Sequence, residues 1–459
     1  MNKKINYNSI AYLIISIFPI LLITGPFLSD TFCIILGLIF VIFNFQNKNW
    51  KIFFTDFKPY IYFFLIFYIY LNIYLFLSFD PKISFKSSIP FFRIILFIFA
   101  LALFTSTLNK TYKGFYLFFL FCISFLLLDS LIQYFFEVNI FRNADVHKNR
   151  ISSFFGDELI MGSYVSRLLP IILGCSILIN LKNKYLINLL IIFISGFLIA
   201  ISGERLASFY YIGTILVYFI LVKKYFLTFI SIILISISIG LALNIFSLKT
   251  SFIDRFYTNT LNQFNEIGSI YSYRHTLHYK TAYEMFLDKK IFGNGLKSFR
   301  YKCSDAKYES IIKKKQDKDY IDLISKDEKY KYLFNDNKKI DIEKINESET
   351  RYRYIFEFKN GCNTHPHNIY LEYLSELGSL GFILLNLIFV YAFIKLLLIV
   401  FKNFFLKSVG EIELAKSMLL TGILLQLFPL VPSGSYFNNW MLIVFHLSIG
   451  FYLSLVKIK

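Results

Sequence analysis

Cysteine is sparse in this chain, five among 459 residues, and none of the five stands at a zinc-type spacing, so a zinc-ribbon or zinc-finger reading is excluded. No internal repeat is found, which argues against a transporter assembled from inverted repeats. Acidic residues are outnumbered, 30 against 48 lysines and arginines. In a soluble protein the resulting charge of +18 would point to nucleic acid, yet the basic and aromatic residues never combine into a recognition motif, so no nucleic-acid partner is expected. Polar composition as a whole is what the chain has least of. It is 56% hydrophobic and 20% aromatic, where an ordinary soluble domain is about 45 to 50% apolar. With a mean hydropathy of +0.57, this is the sequence of a membrane protein.

The first apolar run, "SIAYLIISIFPILLITGPF", is too long for a signal-peptide core, lacks a small-residue cleavage site and is followed by many similar runs. At roughly 20 apolar residues per crossing, about twelve spans are expected. They lie near 9–28, 30–46, 59–79, 89–107, 115–135, 160–181, 185–202, 206–222, 225–247, 378–401, 413–432 and 436–456. The connections carry an independent check. Every second one is basic: Lys48, Lys51 and Lys58; Lys110 and Lys113; Lys182 and Lys184; Lys223 and Lys224; Lys402 and Lys407. By the positive-inside rule these gaps and both termini are cytoplasmic, and residues 80–88, 136–159, 203–205, 248–377 and 433–435 are outside. The expected fold is an all-α polytopic membrane protein: helices in 1–247, a large outer segment at 248–377, and three more helices in 378–459. A segment that long is a functional domain rather than a loop. Its middle, 306–350, is charged with both signs and poor in large apolar residues, which reads as a solvated insertion. Cys303 and Cys362 bracket that insertion and are a candidate disulfide on an oxidising face. Cys33, Cys122 and Cys175 lie within spans as small core residues.

Ionisable residues inside or beside spans carry the functional signal, because a buried charge there costs roughly 2.5 to 3.5 kcal/mol on insertion scales. Arg93, Asp129, Arg167 and Arg205 all fall in the outer half. One alternative has Arg93 and Arg205 reaching headgroups and Arg167 pairing with Asp129. The other has the cations converging on an anionic lipid headgroup, for which the two-pronged guanidinium suits phosphate. The stretch "NTHPHNIYLEYLSELGSLGF", 363–382, sets two of the six histidines beside a proline. Pro366 favours the first helical position, with Thr364 or His365 as cap and His367 in the first turn. There the helix end disfavours imidazolium and leaves His367 a neutral proton acceptor. A histidine that merely caps the helix is the plainer alternative. No carboxylate pair in a metal-ligand context occurs on the outer face, so neither a catalytic metal nor another cofactor is expected.

The same stretch resembles the signature of the bacterial O-antigen ligase and polymerase family. That signature is a His-Asn pair, an apolar residue three positions on, then Gly-x-x-Gly entering a membrane helix; here these are His367, Asn368, Leu371, Gly378 and Gly381. Three further landmarks follow the family's order. "GERLAS" places Arg205 at the outer end of a span, "SYRHTLHYKTAYEMFLDKKIFGNG" supplies Arg274 before a Gly-x-Gly turn, and "RISSFFGDELIMGSYVSRLLP" supplies Arg150. The resemblance covers roughly 150–385; Leu277 or His278 stands where the family often has tryptophan, and Lys290 where it often has proline. It implies a fold like that of the class C glycosyltransferases, with a periplasmic loop domain, in the bacterial inner membrane. It also implies a metal-independent, inverting transfer of a glycan from undecaprenyl diphosphate to a lipid A-core acceptor, or, in a polymerase, to a second lipid-linked glycan. Transfer to protein is a third family possibility, and a flippase the alternative from another class. His367 would be the general base and Arg205 and Arg274 the diphosphate ligands. Arg150, Arg167, Arg93, His365 and Asn368 form the second tier.

Overall fold

The computed structural model describes residues 6–108, 110–141, 150–156, 158–222, 271–309, 361–406 and 409–456, with isolated positions between 230 and 240. The expected span at 225–247 and nearly all of the 306–350 insertion lie outside the described residues. Within them the chain is helical and contains no strands. Its helices are α1 (Tyr7–Ile23), α2 (Pro26–Gln46), α3 (Trp50–Ile73), α4 (Pro81–Ser88), α5 (Phe92–Thr107), α6 (Lys110–Phe136) and α7 (Met161–Leu178), continuing with α8 (Lys184–Ser202), α9 (Arg205–Val222), α10 (Tyr273–Asp288), α11 (Phe299–Lys302), α12 (Ile369–Leu406), α13 (Glu411–Gln426) and α14 (Asn439–Val456). Among the described residues, nine helices are long and apolar enough to cross a membrane. This is a multi-pass membrane protein.

Local chemistry sets the breaks. Gly25, at φ 95°, turns the chain into Pro26 at the start of α2. Asp80 caps α4 by accepting from the amides of Lys82 (2.8 Å) and Ile83 (3.2 Å). Helix α7 is the centre of the bundle: 89% of its apolar window is buried, against 11% for α12, whose Ile383, Leu387, Ile394 and Leu398 are turned to the lipid. It packs against α6, α8, α9 and α13, while α14 packs against α5.

The sequence placed a helix start at Pro366 and a membrane span from 378; the structure moves the first and breaks the helix at the second. Helix begins at Ile369, and Gly378 breaks it at φ 66°, ψ −166°. At the break the 290–295 segment is sewn to the chain by main-chain bonds. Asn294 N donates to Ser375 O (3.0 Å), Gly295 N to Glu376 O (2.8 Å) and Ser379 N to Lys290 O (2.8 Å). A Cβ on Gly293 would lie 2.5 Å from the Gly378 nitrogen, and one on Gly378 would lie 2.4 Å from the Ile291 oxygen. Both glycines are therefore required for contact, and both also adopt positive φ. The kink fixes the outer segment to the membrane bundle.

Candidate functional site

Four imidazoles meet at one end of the bundle. His275 and His278 come from α10, and His365 and His367 from the strap that leads into α12. Ring centroids are 5.0 Å apart for His275 and His367, 5.5 Å for His278 and His367, and 4.1 Å for His365 and His367. A disulfide joins Cys303 to Cys362 with 5.2 Å between Cα atoms, which holds the strap next to α11. Gly361 then lies so close to α10 that a Cβ would meet the Thr281 hydroxyl at 2.0 Å. Its carbonyl accepts from His278 Nδ1 at 2.7 Å.

His367 does not stand in the first helical turn, as the proline position suggested. Asn368 is the cap: its Oδ1 accepts from the amides of Tyr370 (3.0 Å) and Leu371 (3.1 Å). His367 precedes it in the left-handed region at φ 55°, a conformation that a side chain with a Cβ adopts only under constraint. The constraint comes from the loop between α13 and α14. Ser433 N donates to the His367 carbonyl at 2.9 Å, and the Asn368 amide donates to Pro429 O at 3.0 Å. Tyr370 OH donates to Leu427 O at 2.6 Å. From α10, Tyr279 OH adds a bond to the same His367 carbonyl at 3.3 Å.

Neutrality of the ring follows from burial and from its neighbours, with no need for a helix end. Burial, His365, His275, His278 and Arg274, in that order, push the His367 imidazole down to about 3. Burial and His278, then Arg274 and Arg205, bring His275 down to about 4. His365 is brought to about 4, mainly by burial. The tautomer is legible too. Thr364 N donates to Asn363 Oδ1 at 2.7 Å, so the amide nitrogen of Asn363 faces His367 Nε2 at 2.9 Å and donates to it. Nε2 therefore carries the lone pair. The imidazoles spend their nitrogens separately: His275 Nδ1 contacts Ser272 Oγ (2.9 Å) and His278 Nδ1 bonds Gly361 O. Among the described residues no set of three His, Cys, Asp or Glu side chains is arranged to hold a metal.

The arginines divide. Arg205 opens α9 and Arg274 lies in the first turn of α10, capped by Ser272; both act on His275, and Arg274 also acts on His367. Arg150 braces the turn before α9, donating from Nε to Ser202 O at 2.8 Å. In that turn, the Glu204 carboxylate accepts from Gly162 N (2.7 Å) and from Ser163 N (3.1 Å) and Oγ (2.5 Å), so it caps α7. Burial, only partly offset by those bonds and by Arg150, raises its pKa. Arg93 is ion-paired with Asp30 at 2.6 Å, bonded to Asn439 Oδ1 at 3.0 Å, and lines a separate 380 Å³ cavity. Arg167 does not pair with Asp129. That carboxylate is taken by Ile140 N (2.7 Å) and Ser153 Oγ, while Arg167 bonds Gln426 Oε1 at 3.0 Å and stacks on Tyr210 at 4.8 Å.

Arg167 lines an 880 Å³ cavity that the His365 edge of the cluster also borders. Two of its cations, Lys297 and Arg300, follow the Gly-Asn-Gly turn in "GNGLKSFR" and were not singled out from sequence. Their signal was present: a basic pair directly after a tight turn. No family model matches the sequence, and no curated protein does. The reading of the site therefore rests on its geometry and on the resemblance of its motifs.

Proposed function

We propose that this protein is an O-antigen ligase-type glycosyltransferase of the bacterial inner membrane, with both termini cytoplasmic and the histidine cluster facing the periplasm. The observation that carries the reading is the convergence of Arg205 and Arg274 on a group of imidazoles held neutral. The donor is a glycan on undecaprenyl diphosphate. Arg205 and Arg274 hold the diphosphate and stabilise the charge that grows on it as the bond from the anomeric carbon to phosphate oxygen breaks. The acceptor hydroxyl takes the place of the Asn363 amide at His367 Nε2 and gives its proton to that lone pair while its oxygen attacks the anomeric carbon. Undecaprenyl diphosphate leaves, and configuration inverts. The lowered basicity of His367 suits this sequence of events, because a diphosphate seated beside it offsets the neighbouring cations and raises the imidazole pKa when the proton must move. No step uses a divalent cation; the arginines supply the positive charge.

The test is transfer by the purified protein from undecaprenyl-diphosphate glycan to lipid A-core, with and without a chelator. Product formation that survives the chelator is expected. Absence of product with this donor, or its loss on chelation, contradicts the reading. The acceptor is identified by deleting the gene and separating the lipopolysaccharide on a gel: bare core marks a ligase, and core bearing one repeat unit marks a polymerase.

A further inference from the structure

The 880 Å³ cavity is far larger than a diphosphate needs, and its cations are not the pair that acts on His275. Arg167 is 2% exposed, and no carboxylate among the described residues pairs with it. Its Nε is buried without a hydrogen-bond acceptor. A cation so placed within a membrane bundle is costly unless an anion joins it. Lys297 and Arg300 border the same space, and Glu158 is the lone carboxylate on the described lining. Two buried carboxylates nearby, Glu376 and Glu372, act on Lys297 through space, but neither forms an ion pair with it or with Arg300 among the described residues, and their hydrogen bonds go to amides and a hydroxyl. Glu376 accepts from the amides of Lys297 (2.8 Å) and Phe299 (3.1 Å), and Glu372 accepts from Ser435 Oγ and from Tyr436 N (2.8 Å). The same lining includes the rings of Phe155, Phe437 and Trp440, the kind of surface on which the apolar face of a sugar ring packs.

We propose that Arg167, Lys297 and Arg300 form a second anion subsite, which binds a phosphate-bearing sugar of the acceptor glycan against Trp440. It rests on the glycan-transfer reading for the choice of ligand, and it divides the site into two cationic poles. Arg205 and Arg274, which act on His275, serve the donor, and this cavity, bordered by His365, serves the acceptor. The acceptor's charge fixes its register, so that its hydroxyl approaches His367.

The chain has two tryptophans, and only Trp440 lines the cavity. In a Trp50→Phe background, its fluorescence reports occupancy with no donor lipid present, so the result is independent of whether transfer occurs. Mannose 6-phosphate is titrated into the detergent-solubilised protein alongside mannose and inorganic phosphate. Saturable binding of mannose 6-phosphate is expected, at least about tenfold tighter than either fragment. Lys297→Gln and Arg300→Gln should each weaken it by about fivefold or more, and Arg205→Gln should leave it unchanged. Arg300 is exposed, so its replacement keeps the fold intact even if Lys297→Gln does not. No response to mannose 6-phosphate, equal affinity for mannose, equal affinity for phosphate alone, or loss in Arg205→Gln without loss in Arg300→Gln would each overturn the proposal.

Discussion

His367 combines an unfavourable backbone conformation with a ring that resists protonation, and both trace to named neighbours. Its carbonyl is pinned by Ser433 N, its Nε2 is aimed by Asn363, and its charge is suppressed by burial and three other imidazoles. The sign of the pH dependence follows. In the proposed mechanism the neutral ring is the active form, so activity should fall only when pH drops toward the free-enzyme pKa, which stands at about 3 instead of the usual 6.5. The kcat/KM profile should therefore be level from about pH 7 down to about pH 5. An acid limb centred near 6.5 would show that the catalytic histidine is not held neutral by this cluster. Arg205 and Arg274 make a different prediction. Replacing either by glutamine should raise the donor KM by about tenfold or more, measured at saturating acceptor. An unchanged donor KM would remove the diphosphate role. The sequence singled out His365 and His367 at this scale, but neither His275 nor His278, nor the agent of neutrality. The proline suggested a helix end; the structure supplies a pile of rings drawn from two distant segments, a proximity that spacing along the chain does not encode.

At the scale of elements, the kink in α12 decides where the histidine strap sits. Upstream of Gly378 the helix packs on α10 and is capped by Asn368; downstream it turns its side chains to lipid. Gly378→Ala sets a Cβ 2.4 Å from a backbone oxygen at positive φ, so a loss of about 1 to 3 kcal/mol is expected, seen as a lower thermal midpoint in detergent. A midpoint equal to that of the parent protein would mean that the contact with Gly293 is not required. The disulfide between Cys303 and Cys362 closes a loop of 59 residues and would contribute about 4 kcal/mol by chain entropy. Long apolar runs revealed a multi-pass helical bundle, because hydropathy acts locally, although twelve spans were expected and nine helices of that length and hydropathy stand among the described residues. Hydropathy alone does not mark "IYLEYLSEL", which is too polar to read as membrane and packs on α10; Pro366 pointed to helix there, starting three residues before the observed Ile369. Nor does hydropathy reveal that Arg93 answers Asp30, a pairing across 63 positions of chain.

Across the whole molecule, a bundle centred on the buried α7 carries its polar work at one end. Arg205, Arg274, the four imidazoles and the cavity of Arg167, Lys297 and Arg300 gather at one end of the crossing helices, while the flank of α12 is left apolar for lipid. This asymmetry suits an enzyme whose substrates are lipid-anchored on one leaflet, and it suits a two-sided transport path poorly. The sequence made the one-sidedness visible through its span-end arginines, but not that Lys297 and Arg300 join Arg167 at one cavity, which requires the Gly-Asn-Gly turn to be fastened to the kink. The most direct measurement is donor binding and glycan transfer assayed in parallel on purified wild-type protein and on His367→Ala. The account predicts that the variant binds undecaprenyl-diphosphate glycan within about twofold of wild type and forms no product. Transfer retained in that variant would contradict it.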